Sequence, residues 1–146
     1  MVRRGLKSVP PAPWPSVVLD SEGLWAIARN DSEDARAVLA SSREAGVPVL
    51  VPAVVLAETL FGDNRDARAN QALKKLQVVP VSESVARVAA ELKRLADMSG
   101  VAGTVDALVV AISAAAGGGV VLTADADDIG KLASAVSDVR IRPVRV

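Results

Sequence analysis

The chain has 146 residues, and its 17 acidic residues balance its 17 basic ones, so overall charge does not indicate a nucleic-acid-binding protein. It contains no cysteine and no histidine. This composition excludes a disulfide framework, a cysteine nucleophile, a serine–histidine triad and an ordinary zinc site. Oxygen ligands remain, and they suit Mg²⁺ or Mn²⁺.

The N-terminal segment is rich in proline, which lacks an amide donor and has a fixed φ. We therefore predict an extended arm over residues 1–15 and a single domain over residues 16–146. Basic residues occur near the start of the arm, but no apolar segment follows them. We expect no signal peptide, and the cytoplasm is the expected compartment.

Short apolar segments alternate with helical patterns from residue 17 onwards. Strands are predicted at 17–19, 47–51, 78–81, 120–122 and 139–144, the last as an edge strand because it contains Pro143. Helices are predicted at 21–28, 52–62, 66–76, 83–98 and 125–133. A further helix runs from a cap at Asp31 or Ser32 to about residue 45, and Thr104 caps another. This alternation predicts an α/β fold, a three-layer α/β/α sandwich with a mostly parallel sheet.

Residues 107–124 are uncharged and mostly apolar, which raises the question of a membrane span. Three consecutive glycines, 117–119, divide the segment into two pieces. Each piece is shorter than the roughly 20 residues that a membrane-spanning helix needs. We therefore predict a buried helix followed by a buried strand, and no membrane partner.

Four carboxylates lie in apolar segments without a neighbouring base. Asp20 and Asp125 follow predicted strands, Asp106 is in the first turn of a helix, and Glu58 lies beyond the first turn of another. In parallel sheets the carboxyl ends of strands and the starts of helices share the edge where ligands bind. Acidic groups gathered there repel one another unless a cation neutralises them, so the pattern predicts a divalent metal site.

Each of these acids also has a simpler interpretation. An aspartate at a helix start caps free amides and suits the helix dipole, and Glu58 fits an exposed helix face. The joint pattern favours the metal site over four separate explanations. Weaker candidates surround it as supporting acids, solvated charges or hydrogen-bonding hydroxyls: Ser21, Glu22, Thr123, Asp127 and Asp128.

Basic residues that could hold a phosphate backbone are found along one long predicted helix. Arg87, Lys93 and Arg94 form either a solvated face or contacts to nucleic acid. Arg65 and Arg68 are further candidates for the rim of the acidic site.

Four fragments carry a resemblance to a known family: Val18-Leu19-Asp20-Ser21, Ala57-Glu58-Thr59, Thr104-Val105-Asp106-Ala107-Leu108-Val109-Val110-Ala111 and Leu122-Thr123-Ala124-Asp125-Ala126-Asp127-Asp128-Ile129. In this order and at these spacings the chain resembles the PIN-domain ribonucleases, most closely the VapC-type toxins of bacterial toxin–antitoxin pairs. The resemblance runs from Val17 to about Val144.

The resemblance implies that Asp20, Glu58, Asp106 and Asp125 form a metal-binding acidic pocket. It implies that Thr123 is the hydroxyl residue beside the pocket and that Asp128 is the acidic position that often follows. It also implies a cognate antitoxin that blocks the pocket, and a homodimer. The chain departs from the family in the fifteen residues before the first strand, and in Gly23, which weakens a helix where better helix formers are common.

Together, these observations predict metal-dependent hydrolysis of phosphodiester bonds in RNA. Asp20, Asp106 and Asp125 would bind Mg²⁺ or Mn²⁺, with Glu58 as a ligand or as the group that orients the attacking water. One alternative is a magnesium-dependent phosphatase or phospho-acceptor domain, although the sequence after Asp20 lacks an Asp-x-Asp motif. The other is a non-catalytic module that binds protein or RNA through an acidic pocket.

Overall fold

The structure is a computed structural model that describes residues 9–10, 13–98 and 100–146. Residues 1–8, 11 and 12 of the predicted arm lie outside the described residues. The strands are β1 (Val17–Leu19), β2 (Val49–Pro52), β3 (Gln77–Val79), β4 (Gly119–Thr123) and β5 (Ile141–Arg145). The helices are α1 (Ser21–Arg29), α2 (Glu33–Ala45), α3 (Ala53–Thr59), α4 (Ala67–Leu73), α5 (Glu83–Leu95), α6 (Thr104–Ala115) and α7 (Ala126–Ala133), with a 3₁₀ turn at Asn64–Asp66.

The five strands form one sheet in the order β3-β2-β1-β4-β5, and every neighbouring pair is parallel. The chain moves outwards from β1 to β3, then crosses back to β4 and continues to β5. Its direction therefore reverses between β1 and β4, which are neighbours at the centre of the sheet. Ligands bind to sheets of this kind at the carboxyl ends of the strands beside such a reversal.

Helices cover both faces of the sheet. α1 packs against α2, α3 and α4, whereas α6 packs against α5 and α7, so each group forms one layer. Right-handed crossovers account for this division, because the chain moves in opposite directions across the sheet in the two halves. The predicted three-layer α/β/α fold is confirmed, and β5 with its Pro143 lies at an edge as expected.

The core lies around the two central strands and α6. Every residue of β1 and β4 is buried, as are the seven residues 107–113 of α6. A helix that is apolar on nearly all sides has to be enclosed, and the sheet, α5 and α7 together enclose this one. In the described part of the chain, no helix is both long and apolar enough to cross a membrane.

Several predicted element ends are wrong, and two of these affect the site. Thr104 is not a cap but the first residue of α6; the cap position is Gly103, whose φ of 81° is in the left-handed region that suits glycine. The helix that carries Glu58 ends at Thr59 rather than near Gly62, because Leu60 adopts an extended conformation. Pro52 ends β2 instead of opening that helix.

Candidate functional site

Asp20 lies at the carboxyl end of β1 and caps α1. Its Oδ1 accepts a hydrogen bond from the amide of Gly23 at 2.8 Å, and only 7% of the residue is exposed. Burial raises the pKa of this carboxyl, while hydrogen bonds from Thr123 and from the α1 amides oppose that effect. Asp20 is therefore a helix cap, as the simpler interpretation expects. Its carboxylate nevertheless lies at the edge of the sheet where a metal site would have to be.

Gly23 allows α1 to begin directly against the end of β4. A Cβ atom at this position would lie 2.3 Å from the carbonyl oxygen of Leu122, far inside van der Waals contact. The apparent defect in helix propensity is thus a requirement of close packing between α1 and β4. This approach brings the capping residue of α1 beside Thr123, the last residue of β4.

Asp106, Asp125 and Asp128 form the centre of the acidic group. Each offers a carboxylate oxygen, and the three oxygens lie within 4.8 Å of one another. Asp106 enters from the first turn of α6, whereas Asp125 is at the cap position of α7 and Asp128 is in its first turn. Asp125 makes no side-chain capping hydrogen bond, so the helix start does not explain its carboxylate.

Desolvation and the surrounding negative charges raise the pKa of Asp106. It rises from its usual 3.8 to about 6, first because the carboxyl is desolvated, then because Asp125, Asp20, Asp128 and Glu58 add negative charge around it. Glu58 has the smallest of these effects and is exposed on α3. Of the four acids predicted from the sequence, Asp106 and Asp125 belong to the innermost group, which Asp128 completes. Asp20 and Glu58 are not part of that group, but they lie close enough to raise the pKa of Asp106.

Two hydroxyl residues hold the elements of the site together. The hydroxyl oxygen of Thr123 accepts a hydrogen bond from the amide of Asp125 at 2.8 Å, which fixes the turn between β4 and α7. The oxygens of Ser21 and Thr59 lie 3.2 Å apart, so the start of α1 is joined to the end of α3 beside Glu58. The two predicted hydroxyl residues, Ser21 and Thr123, therefore form contacts with other groups of the protein beside the acids.

The acidic residues fit a divalent cation. Among the residues that the structure describes, no lysine or arginine forms an ion pair with Asp20, Glu58, Asp106, Asp125 or Asp128; the ion pairs found there join other residues. Close carboxylates without a basic partner disfavour the charged state of one another, and a cation relieves that repulsion. An oxygen-only set of ligands suits Mg²⁺ or Mn²⁺.

Comparison with protein families identifies the fold around these acids. A model of the PIN domain family matches residues 17–134, which includes β1 to α7 and all five acidic residues. This chain belongs to the PIN domain family. Among curated proteins, the comparison finds no match.

Solved structures share this PIN fold at low sequence identity. VapBC2 from Rickettsia felis, bound to a DNA fragment from its promoter, is 12% identical with a TM-score of 0.63, over 87% of this chain and 97% of the other. A toxin–antitoxin complex from Klebsiella pneumoniae is 17% identical with a TM-score of 0.60, over 86% and 100%. FitAcB from Neisseria gonorrhoeae is 17% identical with a TM-score of 0.53, over 86% and 96%.

The basic residues predicted to contact phosphate differ in their surroundings in this PIN domain. Arg87 and Arg94 are exposed, and each forms an ion pair within α5, with Glu83 and Glu91. Lys93 instead donates from Nζ to Thr104 Oγ1 at 2.8 Å, in the first turn of α6, two residues before Asp106. Lys93 is therefore the predicted cation that the structure brings to the helix bearing a central acid.

Sequence reasoning missed Asp66, a buried acid of the same PIN domain. Only 3% of it is exposed, and its carboxylate accepts hydrogen bonds from the amides of Phe61 at 2.9 Å and Gly62 at 2.7 Å. From the sequence alone, Asp66 is predicted only to begin a helix. Its two amide partners precede it in the chain, so no capping pattern of the following helix could reveal them.

We expect the metal-free protein to lose stability as pH rises from about 4 to about 6 through Asp106. The folded state holds this proton until its raised pKa near 6, whereas the unfolded chain releases it near 3.8, so stability from this group is present below 3.8 and lost through 6. Because Asp106 is only half-buried, solvent screening reduces the effect to about 1–2 kcal/mol.

Urea unfolding in EDTA between pH 4 and pH 7 measures this effect. The comparison is with Asp106→Asn, which cannot titrate, so the variant should gain stability relative to the wild type as pH rises. A difference between the two proteins that stays constant over this range would contradict the prediction.

Proposed function

We propose that this chain is a Mg²⁺- or Mn²⁺-dependent endoribonuclease and the toxin of a cytoplasmic toxin–antitoxin pair. The observation that carries the proposal is the set of carboxylate oxygens of Asp106, Asp125 and Asp128, within 4.8 Å of one another at the carboxyl edge of a PIN-domain sheet. A binding module needs no such concentration of charge, whereas a metal-dependent hydrolase does.

Asp106 and Asp125 would hold the metal together with Asp20 and Asp128. A bound divalent ion would lower the pKa of a water molecule and offset the charge that develops on the phosphate. Asp20 is fixed by its hydrogen bond to Gly23, and Asp125 by the turn that Thr123 holds. Rigid attachment of the ligands to helix starts and strand ends favours catalysis, because little rearrangement is then needed at the reaction.

Proton transfer falls to carboxylates, since the chain contains no histidine. Glu58 suits a role beside the metal ligands, because it is exposed on α3 yet close enough to affect the pKa of Asp106. We assign it the orientation of the attacking water and the acceptance of its proton. The Ser21–Thr59 contact holds the end of α3 in place for this role.

The similar structures support the choice of a protein partner. They include a toxin–antitoxin complex and members of VapBC and FitAB systems. By this likeness we propose a cognate antitoxin that blocks the acidic site. RNA as substrate and a homodimer are proposed from the resemblance of the site motifs to the VapC-type PIN-domain ribonucleases. The exposed Val88 and Leu95 on α5 offer apolar surface to such a dimer.

The decisive experiment incubates the purified, antitoxin-free chain with total RNA, including tRNA. Cleavage at discrete sites in Mg²⁺ or Mn²⁺, absent in EDTA, would support the proposal. No cleavage of any RNA under either metal would contradict it. In that case, release of phosphate from a small phosphomonoester would favour the phosphatase alternative.

We expect Lys93→Gln to weaken RNA binding and flatten its salt dependence. Loss of one phosphate contact on a single strand lowers the slope of log affinity against log salt by about 0.7. Arg87→Gln is the matched control and should change the slope less, because Glu83 already partly neutralises Arg87. Anisotropy titrations of a labelled oligoribonucleotide at several salt concentrations measure both variants, and equal slopes for Lys93→Gln and wild type would refute the contact.

A further inference from the structure

An exposed aromatic residue lies immediately beyond the helix that carries Glu58. Phe61 is the chain's only phenylalanine, and 57% of it is exposed. It follows Glu58 by three residues, which span at most about 11 Å. An exposed aromatic side chain is thus carried close in the chain to the proposed water-orienting residue.

Residues 60–66 form the loop that carries Phe61, and a buried side chain holds this loop in place. The buried carboxylate of Asp66 accepts hydrogen bonds from the amides of Phe61 and Gly62. Hydrogen bonds from two successive amides to one buried charged group are strong and fix the backbone. The buried Asp66 therefore fixes the backbone that carries the exposed ring.

A guanidinium group lies over the ring. The Cζ atom of Arg65 is 4.0 Å from the centroid of the Phe61 ring. The Nε and Nη2 atoms of Arg65 donate hydrogen bonds to the carboxylate of Asp63. Arg65 is thus oriented by two contacts while the residue beneath it stays more than half exposed. Together, the Phe61 ring and the guanidinium stacked over it form a pair that leaves part of the ring exposed, which we call the Phe61–Arg65 platform.

From this geometry we infer that the Phe61–Arg65 platform is a subsite for an unpaired RNA base that flanks the scissile phosphate. The inference rests on the proposed function, since it places a nucleotide next to phosphate held at the acids. Single-stranded RNA is recognised largely by stacking its bases on aromatic rings and arginine planes.

Chance exposure of a single apolar residue is common and needs no explanation by itself. Val101 illustrates this case, because it is 90% exposed and, unlike Phe61, has neither an aromatic face nor a guanidinium over it. Phe61 differs in three respects at once: a buried acid anchors its loop, an oriented arginine lies over one face of its ring, and it follows Glu58 by only three residues. These features favour a base over a protein partner, since they present an exposed aromatic face on a fixed backbone.

The test measures binding in an Asp106→Asn background, so that RNA stays intact in Mg²⁺. The probes are a fluorescein-labelled single-stranded oligouridylate and an oligomer of the same length without bases. We expect Phe61→Ala to weaken binding of the oligouridylate about tenfold and to leave the base-free strand unchanged. Phe61→Trp should retain the wild-type affinity, and Val101→Ala is the control for loss of an exposed apolar side chain.

The possible outcomes separate the subsite from the proposed function. Equal binding of the oligouridylate by Phe61→Ala and its parent, or equal losses on both strands, would overturn the subsite even if the wild type cleaves RNA. Loss of antitoxin binding without loss of RNA binding would overturn it in favour of a protein contact. If the parent binds neither strand and the wild type cleaves no RNA, both the subsite and the proposed function fail.

Discussion

Asp106→Asn should abolish RNA cleavage and at the same time stabilise the metal-free protein at neutral pH. Cleavage should fall more than about 100-fold, because even groups that only support metal ligands give losses of 10- to 100-fold. Stability should rise by about 1–2 kcal/mol, since asparagine removes a charge that burial and neighbouring acids disfavour. A residue retained only for folding would not show these opposite effects.

Cleavage of total RNA and urea unfolding in EDTA at pH 7 measure the two effects on the same preparation. Asp127→Asn is the matched control, because Asp127 belongs to the same helix as Asp128 but its side chain is almost fully exposed, 3.7 Å from Arg145. We expect near wild-type cleavage and stability from this control. Normal cleavage by Asp106→Asn would remove the residue from the site and contradict the proposed mechanism.

Gly23→Ala should destabilise the protein, although helix propensity alone predicts the opposite. Alanine in place of a helical glycine is worth about 1 kcal/mol in an unconstrained helix. Here its Cβ would lie 2.3 Å from the carbonyl oxygen of Leu122, in a strand paired on both sides. Overpacking against backbone that cannot easily move typically costs about 1–3 kcal/mol, and the shift should also displace Asp20 and reduce cleavage.

Gly130→Ala provides a matched control for this prediction. Gly130 also lies within a helix, but a Cβ there would meet only Pro143 Cγ, at an ordinary contact distance of 3.8 Å. This variant should be as stable as the wild type or gain up to about 1 kcal/mol. Urea unfolding of both variants gives the comparison, and a Gly23→Ala protein as stable as Gly130→Ala would show that α1 can move away from β4 freely.

The fold could be predicted from the sequence because its elements are strongly patterned. The runs around Val18 and Val121 are apolar enough to be central strands, and the apolar residues after Asp106 could only be a buried helix. The same contrast makes Asp106 and Asp20 conspicuous as acids in apolar settings. Topology then brings strand ends and helix starts to one edge, so the grouping of the acids follows from the fold class.

Features that depend on contacts between distant elements could not be predicted. The need for glycine at position 23 comes from the carbonyl of Leu122, which sequence patterns do not place. Asp66 looks like any aspartate before a helix, and its hydrogen bonds from the amides of Phe61 and Gly62 depend on how the preceding loop folds back towards it. Asp128 resembled a solvated acid because its proximity to Asp106 depends on how α6 and α7 pack.

The reversal between β1 and β4 also has a consequence for how activity arises. Val17 pairs with Val120, so the two central strands come from positions about a hundred residues apart in the chain. Contacts of such sequence separation form slowly and late in folding, after the shorter-range ones. A partly synthesised chain therefore carries Asp20 and Glu58 but no complete acidic site, which is assembled only when nearly all of this domain has emerged and folded.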